Sequence, residues 1–146
     1  NKSVQILLVK NPVGLNLNLD LLRSVKNPSV ALVLNDNTAD GKDVSWIWDS
    51  NVELLNTIRP GLIVCSGRRA ADMFVRVKYA LPDLKKSSES NKYYTKSTST
   101  SVWLLPKLND LLACVEKSEL SEFYILATYT AMLKLRKLIT GNSLNV

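Results

Sequence analysis

The sequence predicts an open α/β fold, a mostly parallel sheet with helices on both faces. Three observations carry that expectation: short apolar runs at residues 4–9, 30–34, 62–65 and 123–126, intervening stretches whose apolar residues recur every three or four positions, and turn formers at the junctions. Parallel neighbours need a crossover connection, and a helix is its usual form.

The elements follow in order. Residues 4–9 form the first strand, stopped by the turn-forming sequence Asn11-Pro12-Val13-Gly14. Leu15, Leu19, Leu22 and Val25 recur at spacings of three and four and give an apolar stripe to a helix over residues 16–26, which ends near Asn27-Pro28. The second strand, residues 30–34, leads into a polar stretch, residues 35–43, too rich in turn formers to remain extended. A brief aromatic segment, Ser45-Trp46-Ile47-Trp48-Asp49, precedes a short helix carried by Val52, Leu54, Leu55 and Ile58. Strand 62–65 then turns through Ser66-Gly67 into a helix over residues 69–80, closed by Pro82. Residues 85–101, dense in Ser, Thr, Lys and Tyr, read as a long exposed loop with disordered parts. An edge strand at 102–105, a helix at 108–117, a strand at 123–126 and a helix at 129–139 complete the series.

Composition bounds the function. The chain has 146 residues, 46% of them hydrophobic and 22% charged, enough for one cooperative core and typical of a soluble globular domain, so residues 1–146 are expected to form a single domain. Its apolar runs fall far short of the roughly 20 residues that cross a bilayer, and no small-residue cleavage pattern follows the first strand. The expected compartment is the cytoplasm. The net charge of +6 comes from dispersed Lys and Arg without an aromatic-interleaved stripe, so it suits phosphate-bearing molecules or an acidic partner and does not indicate nucleic acid. Cys65 and Cys114 lie in apolar settings and read as buried thiols. The absence of histidine excludes a Ser-His-Asp or Cys-His site built from this chain alone.

In an open α/β sheet the ligand crevice lies beyond the carboxyl ends of the strands, so residues 11–14, 35–45, 66–69 and 128–130 are expected to share one rim. Asp36, Asp40 and Asp43 crowd one stretch of it, with Asp49 just beyond the tryptophans. Turn shaping explains any one of them, since Asp and Asn bond to nearby backbone; the alternative is that at least one points outward to a cation, an amine or an imidazole from elsewhere. Magnesium would suit such oxygens, but the spacing matches no metal loop, and no metal is assigned to this chain. Ser66-Gly67-Arg68-Arg69 sets two guanidiniums at a helix start, either as a plain turn or as an anion site. Trp46 and Trp48 alternate as in a strand and could face one side to anchor a partner or to pack on the sheet edge. Thr128 reads as an N-cap of the last helix.

Together, residues 10–16 (Lys-Asn-Pro-Val-Gly-Leu-Asn), 34–49 (Leu-Asn-Asp-Asn-Thr-Ala-Asp-Gly-Lys-Asp-Val-Ser-Trp-Ile-Trp-Asp), 66–70 (Ser-Gly-Arg-Arg-Ala) and 128–133 (Thr-Tyr-Thr-Ala-Met-Leu) resemble the C-terminal domain of the MurT family. The second segment is long and unusual, which makes it the specific one. The resemblance implies a Rossmann-like domain of the Mur ligase C-terminal type. It also implies a subunit that pairs with a glutaminase, GatD, and uses ATP with Mg²⁺ and glutamine-derived ammonia to amidate the α-carboxylate of D-glutamate in lipid II at the inner face of the membrane.

By that resemblance Asp43 completes the partner's Cys-His site, with Ser45, Trp46 and Trp48 at the interface. Asn35, Asp36, Asn37 and Asp40 would line the ligase cleft, with Arg68 and Arg69 offered to anions. The sequence has no Gly-x-x-x-x-Gly-Lys-Ser/Thr run, so the central ATP-binding domain of a Mur ligase is missing and the chain is not expected to bind ATP or act as a ligase alone. It also lacks the family's four-cysteine zinc ribbon, carries Ala127 where proline is expected, and has a longer 85–101 loop. A stand-alone binding module of the same fold is the competing expectation. A small independent α/β enzyme is a third, opposed by the lack of a nucleophile and base pair.

Overall fold

A computed structural model describes residues 3–119 and 122–141. Seven strands, β1 (Ser3–Leu8), β2 (Ser29–Val33), β3 (Leu62–Ser66), β4 (Lys85–Lys86), β5 (Lys92–Thr95), β6 (Thr100–Leu104) and β7 (Glu122–Ala127), form one sheet in the order β1-β7-β2-β3-β6-β5-β4. The first five strands of that order run parallel, and β5 and β4 add antiparallel pairs at one side. The helices are α1 (Pro12–Leu21), α2 (Leu55–Ile58), α3 (Ala70–Ala80), α4 (Leu108–Lys117) and α5 (Tyr129–Thr140).

Alternation along the strands divides the core in two. Val30, Leu32, Ile63, Cys65 and Leu126 point to the face covered by α1, α2 and α3, while Ala31, Val33, Val64, Ile125 and Ala127 pack under α4 and α5. Both faces of β2 and β3 are therefore buried throughout, which is why these strands are continuous apolar runs. Leu15 and Leu19 of α1 have no exposed surface, and each such leucine contributes about 2 kcal/mol of burial. Cys65 is wholly buried on β3 and burial pushes its thiol up to about 12; Cys114, on α4, is half-buried and raised for the same reason. No helix among the described residues is long and apolar enough to cross a membrane.

Several local expectations are corrected. The first helix begins at Pro12, not residue 16: Asn11 is extended and its side chain accepts the Gly14 N–H at 2.8 Å, and proline at the first helical position needs no donor. It ends at Leu21 and continues only as a 3-10 turn, Leu22–Ser24. Residues 85–101 are not an open loop but supply β4 and β5, so β6 is an interior strand; the edges are β1 and β4. β5 escapes an apolar pattern because its buried residue Thr95 is a hydroxyl that donates to Asp83 at 2.6 Å, while Tyr93 packs on Phe74 and Lys92 lies 4.1 Å from the Trp103 ring centroid. The two lysines of β4 blunt the exposed edge.

Candidate functional site

The segments after β2, β3 and β7 meet at one rim, tied by buried and part-buried hydrogen bonds. The Asn35 backbone N–H donates to Thr128 Oγ1 (2.9 Å), its side-chain amide donates to Thr130 Oγ1 (3.1 Å), and its side-chain oxygen accepts the Arg68 N–H (2.9 Å). One nearly buried asparagine thus joins three loops. Thr128 does not cap α5 with its side chain, as the sequence suggests, because its hydroxyl holds Asn35. Asp40 does that work from a distant loop: its carboxylate accepts the Thr130 N–H at 2.8 Å and the Thr130 hydroxyl at 2.5 Å. Asn37 donates from its side chain to Thr130 Oγ1 at 2.9 Å and from its backbone to Asp40 at 3.1 Å. Thr130 Oγ1 has then donated its single proton and accepted two bonds, its full capacity.

Gly67 has φ +95°, and a Cβ there would lie 2.6 Å from the Leu34 carbonyl oxygen and 2.9 Å from Asn35 Oδ1. Only glycine lets β3 turn this tightly into α3 against the β2 loop. The turn brings Arg68 and Arg69 onto Asp36, whose two oxygens accept Arg68 Nε and Arg69 Nη1, each at 3.1 Å. Arg69 Nε also meets Asp72 at 2.7 Å. The guanidiniums, Arg69 foremost, hold the Asp36 carboxyl below the usual range, against the opposing effect of desolvation. Arg69 is consequently already paired with two carboxylates, whereas Arg68 remains mostly exposed. Asp36 and Asp40, engaged in this way, do not present a free carboxylate pair to a metal.

Two cavities flank this charged chain. The larger, about 680 Å³, is lined by Asn35, Asn37, Thr130 and Arg68 together with Lys107 and Lys134, which give it a cationic rim. The smaller, about 240 Å³, is lined by Asp43, Ser45, Trp48, Arg69 and Asp72. The expected cleft residues therefore separate: Asn35, Asn37 and Arg68 face the first cavity, Arg69 faces the second, and Asp36 bridges the arginines.

Asp43 is exposed. It accepts the Ser45 N–H at 2.9 Å, and that bond, with the Ser45 hydroxyl, lowers its pKa. A carboxylate offers about four lone-pair sites, and Ser45 is its partner among the described residues, so capacity remains on the open side. The following segment, Ser45–Asp49, is a 3-10 turn and not a strand. With three residues per turn, side chains two positions apart diverge; Trp46 packs against the core while Trp48 stays about half exposed beside Tyr79.

Sequence reasoning missed Lys107, Lys134, Asp72 and, above all, Arg76. Arg76 is 4% exposed: Nε donates to the Ile47 carbonyl (2.9 Å), Nη2 to the Ser50 carbonyl (2.7 Å), and Nη1 and Nη2 grip Glu53 at 2.9 and 2.8 Å. The available signal was a charge between Met73 and Val77 on the apolar stripe of α3.

Comparison with known proteins agrees with this architecture. The family model described as MurT ligase C-terminal matches residues 8–132. A Streptococcus pneumoniae protein named lipid II isoglutaminyl synthase (glutamine-hydrolyzing) subunit MurT is 30% identical over 145 residues, covering 99% of this chain and 29% of that protein. The Staphylococcus aureus protein of the same name is 39% identical over 80 residues, covering 54% of this chain and 18% of that protein. The chain spans less than a third of the length of these relatives. With the family model covering most of its residues and its α/β sheet of the Mur ligase C-terminal type, the chain belongs to the MurT ligase C-terminal family.

Proposed function

We propose that this domain works within the ligase subunit of a glutamine-dependent lipid II isoglutaminyl synthase, amidating the D-glutamate α-carboxylate of the cell-wall precursor on the cytoplasmic face of the membrane. Its immediate task is to dock a GatD-type glutaminase and to present Asp43 to the histidine of the partner's Cys-His pair. The observation that carries this reading is an exposed carboxylate with spare acceptor capacity, held by the Ser45 N–H at the mouth of a cavity that Trp48 also lines. Chemically, a carboxylate in that position accepts the imidazole N–H, fixes the tautomer whose other nitrogen faces the cysteine, and stabilises the imidazolium formed as the thiolate attacks glutamine. Asp43 keeps its charge throughout.

The larger cavity, with Arg68, Lys107 and Lys134 around Asn35 and Asn37, would face the ligase cleft, where anionic groups of the substrates gather. Binding of ATP and Mg²⁺ is assigned mainly to the central domain of the full-length subunit. The test is reconstitution: the full-length subunit with its glutaminase, lipid II, ATP and glutamine should yield lipid II carrying an amide for an acid by mass spectrometry. A preparation in which the glutaminase neither binds this subunit nor depends on it for glutamine hydrolysis would refute the proposal.

A further inference from the structure

The 3-10 turn that presents Asp43, Ser45–Asp49, is entered and left through long backbone bonds: the Ile47 N–H reaches the Val44 carbonyl at 3.2 Å and the Ser50 N–H reaches the Ile47 carbonyl at 3.3 Å. Shorter bonds reach the carbonyls of Ile47 and Ser50 from outside the turn, at 2.9 and 2.7 Å, and both come from one side chain of α3.

We propose that Arg76 is the positioning residue for Asp43. Its guanidinium leaves α3 beneath the turn, ties the Ile47 and Ser50 carbonyls together, and is itself locked by the bidentate pair with Glu53 and by the face of Trp48, 5.3 Å from the ring centroid. Ile47 lies two residues beyond Ser45, whose N–H fixes the Asp43 carboxylate. The carbonyl at one end of the turn and the carboxylate at the other are thereby set in one frame. A planar group with five donors in a fixed fork meets this geometry, whereas a lysine ammonium cannot span two carbonyls and a carboxylate with the same directions. Asp72, one turn earlier on α3, lines the Asp43 cavity, so a single helix supplies both the anchor of the turn and a wall of the cavity. Burying an arginine is costly unless every nitrogen is bonded. Here Nε, Nη1 and Nη2 all are.

This inference rests on the proposed role of Asp43, and the experiment separates the two. Arg76→Lys, Asp43→Asn and the double variant are made in the full-length subunit and assembled with the glutaminase. Folding is followed by thermal melting, and kcat and KM for glutamine are measured. Arg76→Lys is expected to lower kcat on the order of 10²-fold, the size of a small displacement of a catalytic group, with KM unchanged. In the Asp43→Asn background it should cost nothing further, because it acts through that carboxylate. Glu53→Gln, which loosens the guanidinium at a half-exposed partner, should show a smaller loss with the same non-additivity and serves if Arg76→Lys does not fold. Loss that multiplies with that of Asp43→Asn, or folded variants with normal kcat, would overturn the positioning role. A normal rate in Asp43→Asn alone would instead overturn the reading beneath it.

Discussion

Asp43→Asn is expected to lower kcat for glutamine hydrolysis by roughly 10³- to 10⁴-fold in the assembled complex, the cost of presenting an imidazole with an amide where it needs a carboxylate. The fold should survive, since Asp43 is exposed and the bond it accepts from the Ser45 N–H can equally be accepted by an amide oxygen. Amidation driven by ammonium salts should be spared, because it bypasses the glutaminase. The pH dependence has a definite sign. The Ser45 N–H and hydroxyl depress the Asp43 pKa, so the carboxylate stays charged as pH falls through the ordinary aspartate value of about 3.9. Any stability it confers is present above that value and is lost only as pH drops through the lowered one. Loss of hydrolysis in mildly acidic buffer therefore reports the partner's imidazole or thiol, and Asp43→Asn should lower the plateau and move an imidazole limb to lower pH, because the imidazolium loses its stabilising carboxylate.

Gly67→Ala should have the largest effect on stability, about 4 kcal/mol, against an ordinary total of about 5–15 kcal/mol. Two penalties coincide. A φ of +95° is disfavoured for any residue with a Cβ, and that Cβ would sit 2.6 Å from a backbone oxygen that cannot swing away, Leu34 O, which already accepts the Arg69 N–H at 2.9 Å. Relief requires the start of α3 to withdraw from the β2 loop, which breaks the Arg68 N–H bond to Asn35 and the pairing of both arginines with Asp36. Urea unfolding monitored by the far-ultraviolet signal measures the cost; a loss below about 1 kcal/mol would show that the turn relaxes freely.

What was legible in the sequence follows from where each signal is stored. β2 and β3 could be read directly, because a strand buried on both faces must be apolar at every position, and the crossover helices follow from parallel pairing. β5 was hidden because Thr95 satisfies burial through a hydroxyl bonded to Asp83, a partner twelve residues away, so no aliphatic alternation marks it. The start of α1 was misplaced because Asn11, Pro12 and Gly14 are as much a helix N-terminus as a turn. At the site, the aspartates of residues 36–49 are locally equivalent, and the resemblance, not their spacing, singled out Asp43. The structure adds a physical distinction: Asp36 is paired with arginines more than thirty positions away and Asp40 caps α5, while Asp43 opens onto a cavity. Arg76 could not be assigned from sequence because its partners, Ile47, Ser50 and Glu53, are brought to it only by the packing of α3 under the preceding turns.

The most direct measurement is the distance from the Asp43 carboxylate to the nearest imidazole nitrogen of the glutaminase in a structure of the full-length complex. The account predicts about 2.7–2.9 Å, a charge-assisted hydrogen bond with the other ring nitrogen turned toward the cysteine. An imidazole held instead by a carboxylate of its own chain, with Asp43 facing solvent, would contradict it.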